Sequence, residues 1–234
     1  MRLQPLFVSL ALAVPFALLP AAPLLAAPAA TARQADTAPV LVTAAQWQQM
    51  ASEGSRYPWF AKEQARTQKS LQKMMKAGID VPVPRDKGGG RTHEQHKRNY
   101  QALLAAGTLY RLTGDKAYAD YARDMLLQYA QLYPTLGPHP EGRGQIPGRV
   151  FWQVLNDSVW LVNAIQGYDA IRDALSPQDR QTIESQVFRP MAEFLASEPK
   201  NYDQIHNHAT WAVAATGMTG YVLGDRELVE KSLR

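Results

Sequence analysis

The run Asn201-Tyr202-Asp203-Gln204-Ile205-His206-Asn207-His208 is polar, and an apolar stretch beginning near Ala209 and Trp211 follows it at once. Such a junction crowds polar side chains at a helix N-terminus, where unpaired backbone N–H groups and the positive end of the helix dipole favour an anion. Asn207 donates through its amide and His208 through either ring nitrogen, so the pair is suited to bind and neutralise a carboxylate. The competing reading makes Asn207 an N-cap and leaves the histidines to satisfy nearby carbonyls. His206 and His208 stand two positions apart and share no helix face, which speaks against a metal site.

Two further groups carry possible chemistry. In His93-Glu94-Gln95-His96-Lys97-Arg98-Asn99-Tyr100, the residues His93, His96, Lys97 and Tyr100 fall on one helical face. That face is either a turn approaching a ligand or, as composition favours, a solvated helix start. The spacing lacks the i, i+4 histidine pair of a zinc protease. Gln153, Asn156 and Asp157 interrupt an apolar helix, and buried amides need partners, so they either tie helices together or reach into a cleft. Glu94 or Asp157 would have to supply the paired carboxylates of an inverting hydrolase on an α/α barrel.

The elements that must position these groups read as helices almost throughout. Thr43 is the expected N-cap of a first helix carrying Trp47 and Met50, and Pro58 opens a second that ends at Gly78. Val81-Pro82-Val83-Pro84 and Gly88-Gly89-Gly90 cannot be helical, since proline removes donors and glycine carries an entropic penalty. A third helix over about His93–Leu112 turns at Thr113-Gly114-Asp115 into a fourth that ends near Tyr133-Pro134. Residues 134–149 then form a polar, irregular segment with His139, Glu141, Arg143 and Arg149. A fifth helix is expected from Phe151 to Leu175, with Trp152, Leu155, Val159, Trp160, Val162, Ile165 and Tyr168 on a wide buried face. Ser176, Pro177 and Asp179 start a sixth that runs toward Leu195 and that Pro190 should kink or divide.

Gly107, Gly114 and Asp115 recur as Gly217, Gly224 and Asp225 at a shift of 110 residues, which reflects either a repeat or shared turn chemistry. Stacked helix hairpins of this kind make a solenoid or a closed toroid. The segment Asp225–Arg234 begins a helix with Leu228, Val229 and Leu233 as its apolar face and without a partner helix. The chain is therefore expected to be the N-terminal part of a longer protein.

Composition sets the outer limits. The 234 residues carry a net charge of +4 with basic and acidic side chains interleaved, so no stripe marks a nucleic-acid surface, and none is expected to bind. A hydrophobic content of 46% with five Trp and ten Tyr supports a packed core. The absence of cysteine excludes disulfide scaffolds, iron–sulfur sites and a cysteine nucleophile. Arg2 is the sole charge ahead of Arg33, and an apolar run from Leu6 to Leu19 gives way to small residues through Ala32. This is the layout of a signal peptide over residues 1–32, with a linker over 33–42, a helical domain over 43–234, and a periplasmic or secreted product that keeps no membrane anchor.

The words His96-Lys97-Arg98-Asn99-Tyr100, Phe151-Trp152-Gln153-Val154-Leu155-Asn156-Asp157-Ser158-Val159-Trp160 and Ile205-His206-Asn207-His208-Ala209-Thr210-Trp211 together resemble the oligoalginate lyases of polysaccharide lyase family 17, within the heparinase II/III-like lyases. The resemblance runs from about Tyr57 to the last residue. It implies an all-α, incomplete (α/α) toroid of antiparallel helix hairpins, cut off before an expected C-terminal β-sheet domain. The implied reaction is β-elimination on an anionic uronate oligosaccharide, ending in unsaturated monosaccharide. The match carries neutralisation of the uronate carboxylate to Asn207, with His208 sharing that role or acting as base for one epimer. Arg149, Gln153, Asn156 and His206 are the expected substrate contacts. No metal and no cofactor is expected of this segment, and the implied acid–base tyrosines lie beyond Arg234. Rival expectations are a lyase acting on another uronate polymer, such as a glycosaminoglycan, and a non-catalytic uronate-binding module. Oligomeric state leaves no mark on the sequence.

Overall fold

A computed structural model describes residues 37–144 and 146–233, and the expected signal peptide lies outside them. Among the described residues every regular element is a helix. No helix among them is long and apolar enough to cross a membrane.

α1 (Ala44–Glu53) starts as expected at Thr43, whose hydroxyl accepts from the Gln46 N–H while the Gln46 side chain accepts from the Thr43 N–H. α2 (Pro58–Ala77) opens on its proline and stops at Gly78. Both lie against α3 (Arg91–Thr113). Gly114, in the left-handed region at φ 72°, reverses the chain into α4 (Lys116–Leu132), which Asp115 caps.

α5 (Val154–Ile171) begins three residues later than its apolar pattern suggests. Phe151, Trp152 and Gln153 belong to the preceding loop, because Asp157 holds that loop in place of a further helical turn, as described below. α6 (Pro177–Ile183), a π-turn over Glu184–Phe188 and α7 (Arg189–Ala196) make up the expected sixth helix, divided just ahead of Pro190. The wide turn absorbs the hydrogen bond that a proline cannot donate. A short α8 (Pro199–Tyr202) leads to α9 (Asn207–Leu223), which Gly224 reverses into α10 (Arg226–Ser232).

Three helices, α3, α5 and α9, lie side by side, α5 in the middle. His93 and His96 pack on Phe151 just ahead of α5, Gly107 meets Gly167, and Arg111 bonds Asp173 past the end of α5. The first two helices of the row are therefore parallel. At that end of α5 the Arg172 guanidinium also reaches the Val222 carbonyl near the end of α9. The N-termini of all three helices consequently share one end of the molecule, and the loops that enter them gather there. α4, α7 and α10 pack against the row, α4 and α10 joined to it by the tight turns at Gly114 and Gly224. The core between the layers includes Leu103, Met125, Tyr129, Trp160, Tyr168 and Phe188, all fully buried.

α3 and α5 approach closely at Gly107 and Gly167. A Cβ added at Gly107 would lie 2.5 Å from the Gly167 carbonyl oxygen, and one at Gly167 would lie 2.4 Å from that of Leu103. The corresponding Gly217 faces Ser232 of α10 instead. Between the two hairpins, turn chemistry recurs while the packing of the mid-helix glycine differs: Gly107 is buried and Gly217 half-buried.

The first described segment is fixed from a distance. The Asp169 carboxylate of α5 accepts from the Val40 N–H at 3.0 Å and the Leu41 N–H at 2.9 Å, 129 and 128 residues away.

Candidate active site

The loop entering α5 is built around one carboxylate. Asp157 is fully buried and accepts from the N–H groups of Arg149 at 2.7 Å, Phe151 at 2.8 Å and, more weakly, Val150 at 3.4 Å. Gly148 makes room for it, since a Cβ there would come within 2.7 Å of the carboxyl carbon. Burial pushes the Asp157 carboxyl up to about 7, although the three donors pull the other way. Occupied in this manner, Asp157 holds the loop, and its carboxylate does not serve the paired-carboxylate hydrolase.

Arg149, placed by that loop, lays its guanidinium over the Phe194 ring at 4.7 Å and the Tyr133 ring at 5.6 Å. It forms no ion pair among the described residues. A guanidinium over two aromatic rings with no carboxylate partner has the chemistry to hold one. Tyr133 and Phe194 lie far from Arg149 in sequence, on the turn after α4 and on α7, and no local pattern points to them. Gln153 occupies the N-cap position of α5 but caps nothing with its side chain, and it stays half-buried. Asn156 is half-buried too, with its side-chain oxygen shielded from solvent and unpaired. The Gln153 amide is thus left uncommitted at the entry to α5, whereas the Asn156 oxygen faces the interior.

The loops before α3 and α5 meet over the start of α3. Lys87 pairs with Glu141 at 3.5 Å across them, and Gly88 sits against the Trp152 and His93 rings. The expectation of a solvated start to α3 is overturned here: His93 and His96 are buried. The cause is a network inside the fold. The Tyr129 hydroxyl bonds His96 Nδ1 at 2.7 Å and accepts from Asn99, whose amide also donates to the Asp80 carbonyl. Desolvation holds His96 down to about 4 and also lowers His93 and His139, so these rings are neutral near pH 7. His96 and Asn99 therefore anchor the loop before α3 to α4 and are turned inward.

At the start of α9 the cap differs from expectation. His206, not Asn207, is the N-cap: its Nδ1 accepts from the His208 N–H at 3.0 Å and the Ala209 N–H at 3.3 Å. Histidine is not among the favoured capping residues, so the sequence offered no signal for it. The Asn207 side chain, exposed at the first helical position, makes no hydrogen bond among the described residues. His208 is half-buried with its ring at 87° to that of His206, centroids 5.2 Å apart. Burial, and secondarily His206, lowers the pKa of His208, which favours the neutral, proton-accepting ring. No cluster of metal-ligating side chains is present among the described residues.

Arg149, Gln153 and Asn156 on one side, and His206, Asn207 and His208 on the other, thus stand at the N-terminal ends of adjacent helices. No hydrogen bond or ring contact joins the two sets directly. α7, which carries the Phe194 ring beneath Arg149, packs on both α5 and α9.

The family model described as alginate lyase matches residues 29–234. An alginate lyase of Stenotrophomonas maltophilia (strain K279a) is 92% identical over 234 residues, which cover 100% of this chain and 32% of that protein. An exo-oligoalginate lyase of Saccharophagus degradans (strain 2-40) is 53% identical over 195 residues, which cover 83% of this chain and 26% of that protein. The chain spans about a third or less of the length of these relatives.

Proposed function

This chain belongs to the alginate lyase family, and from that premise we propose that it supplies the carboxylate-neutralising part of an exported lyase acting on alginate oligomers. The finer assignments are an oligoalginate lyase of polysaccharide lyase family 17, an (α/α) toroid to which the α3–α5–α9 row contributes, and exo action releasing unsaturated monosaccharide.

The reaction needs a base to take the C5 proton of a uronate. The electron pair left behind forms the C4=C5 double bond, and the 4-O-glycosidic oxygen leaves with a proton from an acid. While the neighbouring carboxylate keeps its charge, the C5 proton is too weakly acidic to remove. Donors aimed at that carboxylate stabilise the charge that builds on it. Asn207 fills this role, and the neutral ring of His208 either adds a donor or accepts the C5 proton from one epimer. Arg149 holds a carboxylate of the same oligomer, with Gln153 and Asn156 on its hydroxyls. The observation that carries the reading is the uncommitted amide of Asn207 at the head of α9, its capping duty taken by His206.

The test exchanges this chain for the matching segment of the Stenotrophomonas protein and offers mannuronate, guluronate, heparan and hyaluronan oligomers. Ultraviolet absorbance from the new double bond, with alginate oligomers alone, is the expected result. Absorbance only with a glycosaminoglycan would move the substrate assignment. New reducing ends without absorbance would reveal a hydrolase, and no product on any oligomer would leave a binding module.

A further inference from the structure

Within α9 the first N–H groups have no carbonyl partner in their own helix, and how they are shared out decides what the site can offer. His206 stands ahead of the helix in extended backbone, φ −157° and ψ 171°, and folds its ring back over the first turn. One nitrogen, Nδ1, takes both the His208 and the Ala209 N–H. A ring nitrogen that accepts two hydrogen bonds carries no proton, so the proton of neutral His206 is on Nε2. The His206 carbonyl meanwhile accepts the Thr210 N–H at 3.1 Å and the Thr210 hydroxyl at 3.3 Å, which ties the same residue to the next turn.

Two consequences reach the neighbours. The backbone N–H of Asn207 is the donor that the cap leaves over, and it belongs to the residue whose side-chain amide is also uncommitted. Asn207 can thus present two donors from one position, matched to the two oxygens of a carboxylate. His208, whose N–H is bonded to the cap, has its ring set perpendicular to the capping ring. We propose that His206 is the positioning residue of the site, an imidazole N-cap whose fixed tautomer orders the first turn of α9 and so aims Asn207 and His208 at the uronate carboxylate. This rests on the carboxylate-binding role given above to Asn207 and His208, and it assigns His206 to the helix instead of the sugar.

The test uses the whole chain with His206→Ala and His206→Asn, since asparagine keeps a capping acceptor while removing the imidazole. In the wild type, long-range nitrogen NMR of labelled histidine should find His206 Nδ1 unprotonated at neutral pH. Affinity for an alginate trisaccharide, read by calorimetry, should fall about tenfold in the alanine variant and return to within about threefold of wild type in the asparagine variant. A protonated Nδ1, an alanine variant that binds like wild type, or an asparagine variant as weak as alanine would each overturn the proposal, the last by showing that the ring itself meets the sugar. Failure of the wild type to bind the trisaccharide would count against the uronate reading instead. The Nδ1 protonation state, together with slowed amide exchange at His208 and Ala209 that is lost in the alanine variant, would still decide the cap.

Discussion

Replacing Asp157 by asparagine separates two effects that burial has combined. In the native loop one carboxylate oxygen receives Phe151 and the other receives Arg149 and Val150. Asparagine keeps one acceptor oxygen and turns an amide toward the other donors. Leaving the Arg149 N–H facing an NH2 group costs about 1–3 kcal/mol, the usual penalty for an unsatisfied buried donor. The charge acts in the opposite direction. Burial pushes the folded carboxyl up to about 7 from its ordinary 3.8, so between these limits the folded state holds a proton that the unfolded state has lost. This stabilisation is fully present below 3.8 and is lost as pH rises through about 7, which amounts to about 3 kcal/mol between pH 5 and pH 8. His96, held down to about 4, acts with the reverse sign: its folded form refuses a proton that the unfolded chain accepts, so it destabilises as pH falls below 6.5. Since His96 is common to both proteins, subtracting the variant from the wild type isolates Asp157. Urea unfolding followed by circular dichroism at several pH values from 5 to 8 should show the variant weaker at pH 5, with the gap closing or reversing by pH 8. Two stability curves that stay parallel over this range would refute the reasoning and return Asp157 to the ordinary carboxylate range.

The other expectations concern the donors and the helix row. Asn207→Ala in the exchanged protein should lower kcat on alginate oligomers by about 10²–10³, and a kcat within about threefold of wild type would remove Asn207 from the reaction. Arg149→Lys keeps the charge but loses the planar stack on Tyr133 and Phe194, so oligomer affinity should drop about tenfold with little change in thermal stability. Gly107→Ala drives a methyl into the Gly167 carbonyl and should cost about 1–3 kcal/mol in a urea titration, whereas Gly137→Ala, which meets open space, should cost far less.

Much of the fold was legible because its punctuation is local. Thr43, Pro58, Gly78, Gly114, Asp115, Ser176 and Pro190 each act within a few residues, and each stands at the boundary its chemistry implies. The start of α5 was misread because Phe151 and Trp152 continue an apolar pattern, while the group that keeps them out of the helix, Asp157, acts through backbone donors to which periodicity is blind. The same blindness hid the burial of His93 and His96, whose rings pack on Phe151 and, for His96, bond Tyr129, both remote in sequence. At the candidate site, Asn207 and His208 stood out by residue type and position. The aromatic rings beneath Arg149 and the capping role of His206 emerge only from packing, because cation–π geometry and a ring folded onto its own helix leave no spacing rule in the chain.

The bond from Asp169 to Val40 and Leu41 bears on the order of events in folding. A chain made from its N-terminus exposes residues 40 and 41 long before Asp169 exists, and their anchor is usable only once α5 has formed and packed. The contact of Val40 and Leu41 with Asp169 is thus among the later ones to form. Closing so long a loop carries a large entropic cost and little local reward, so the docking waits for the helix row and reports its completion.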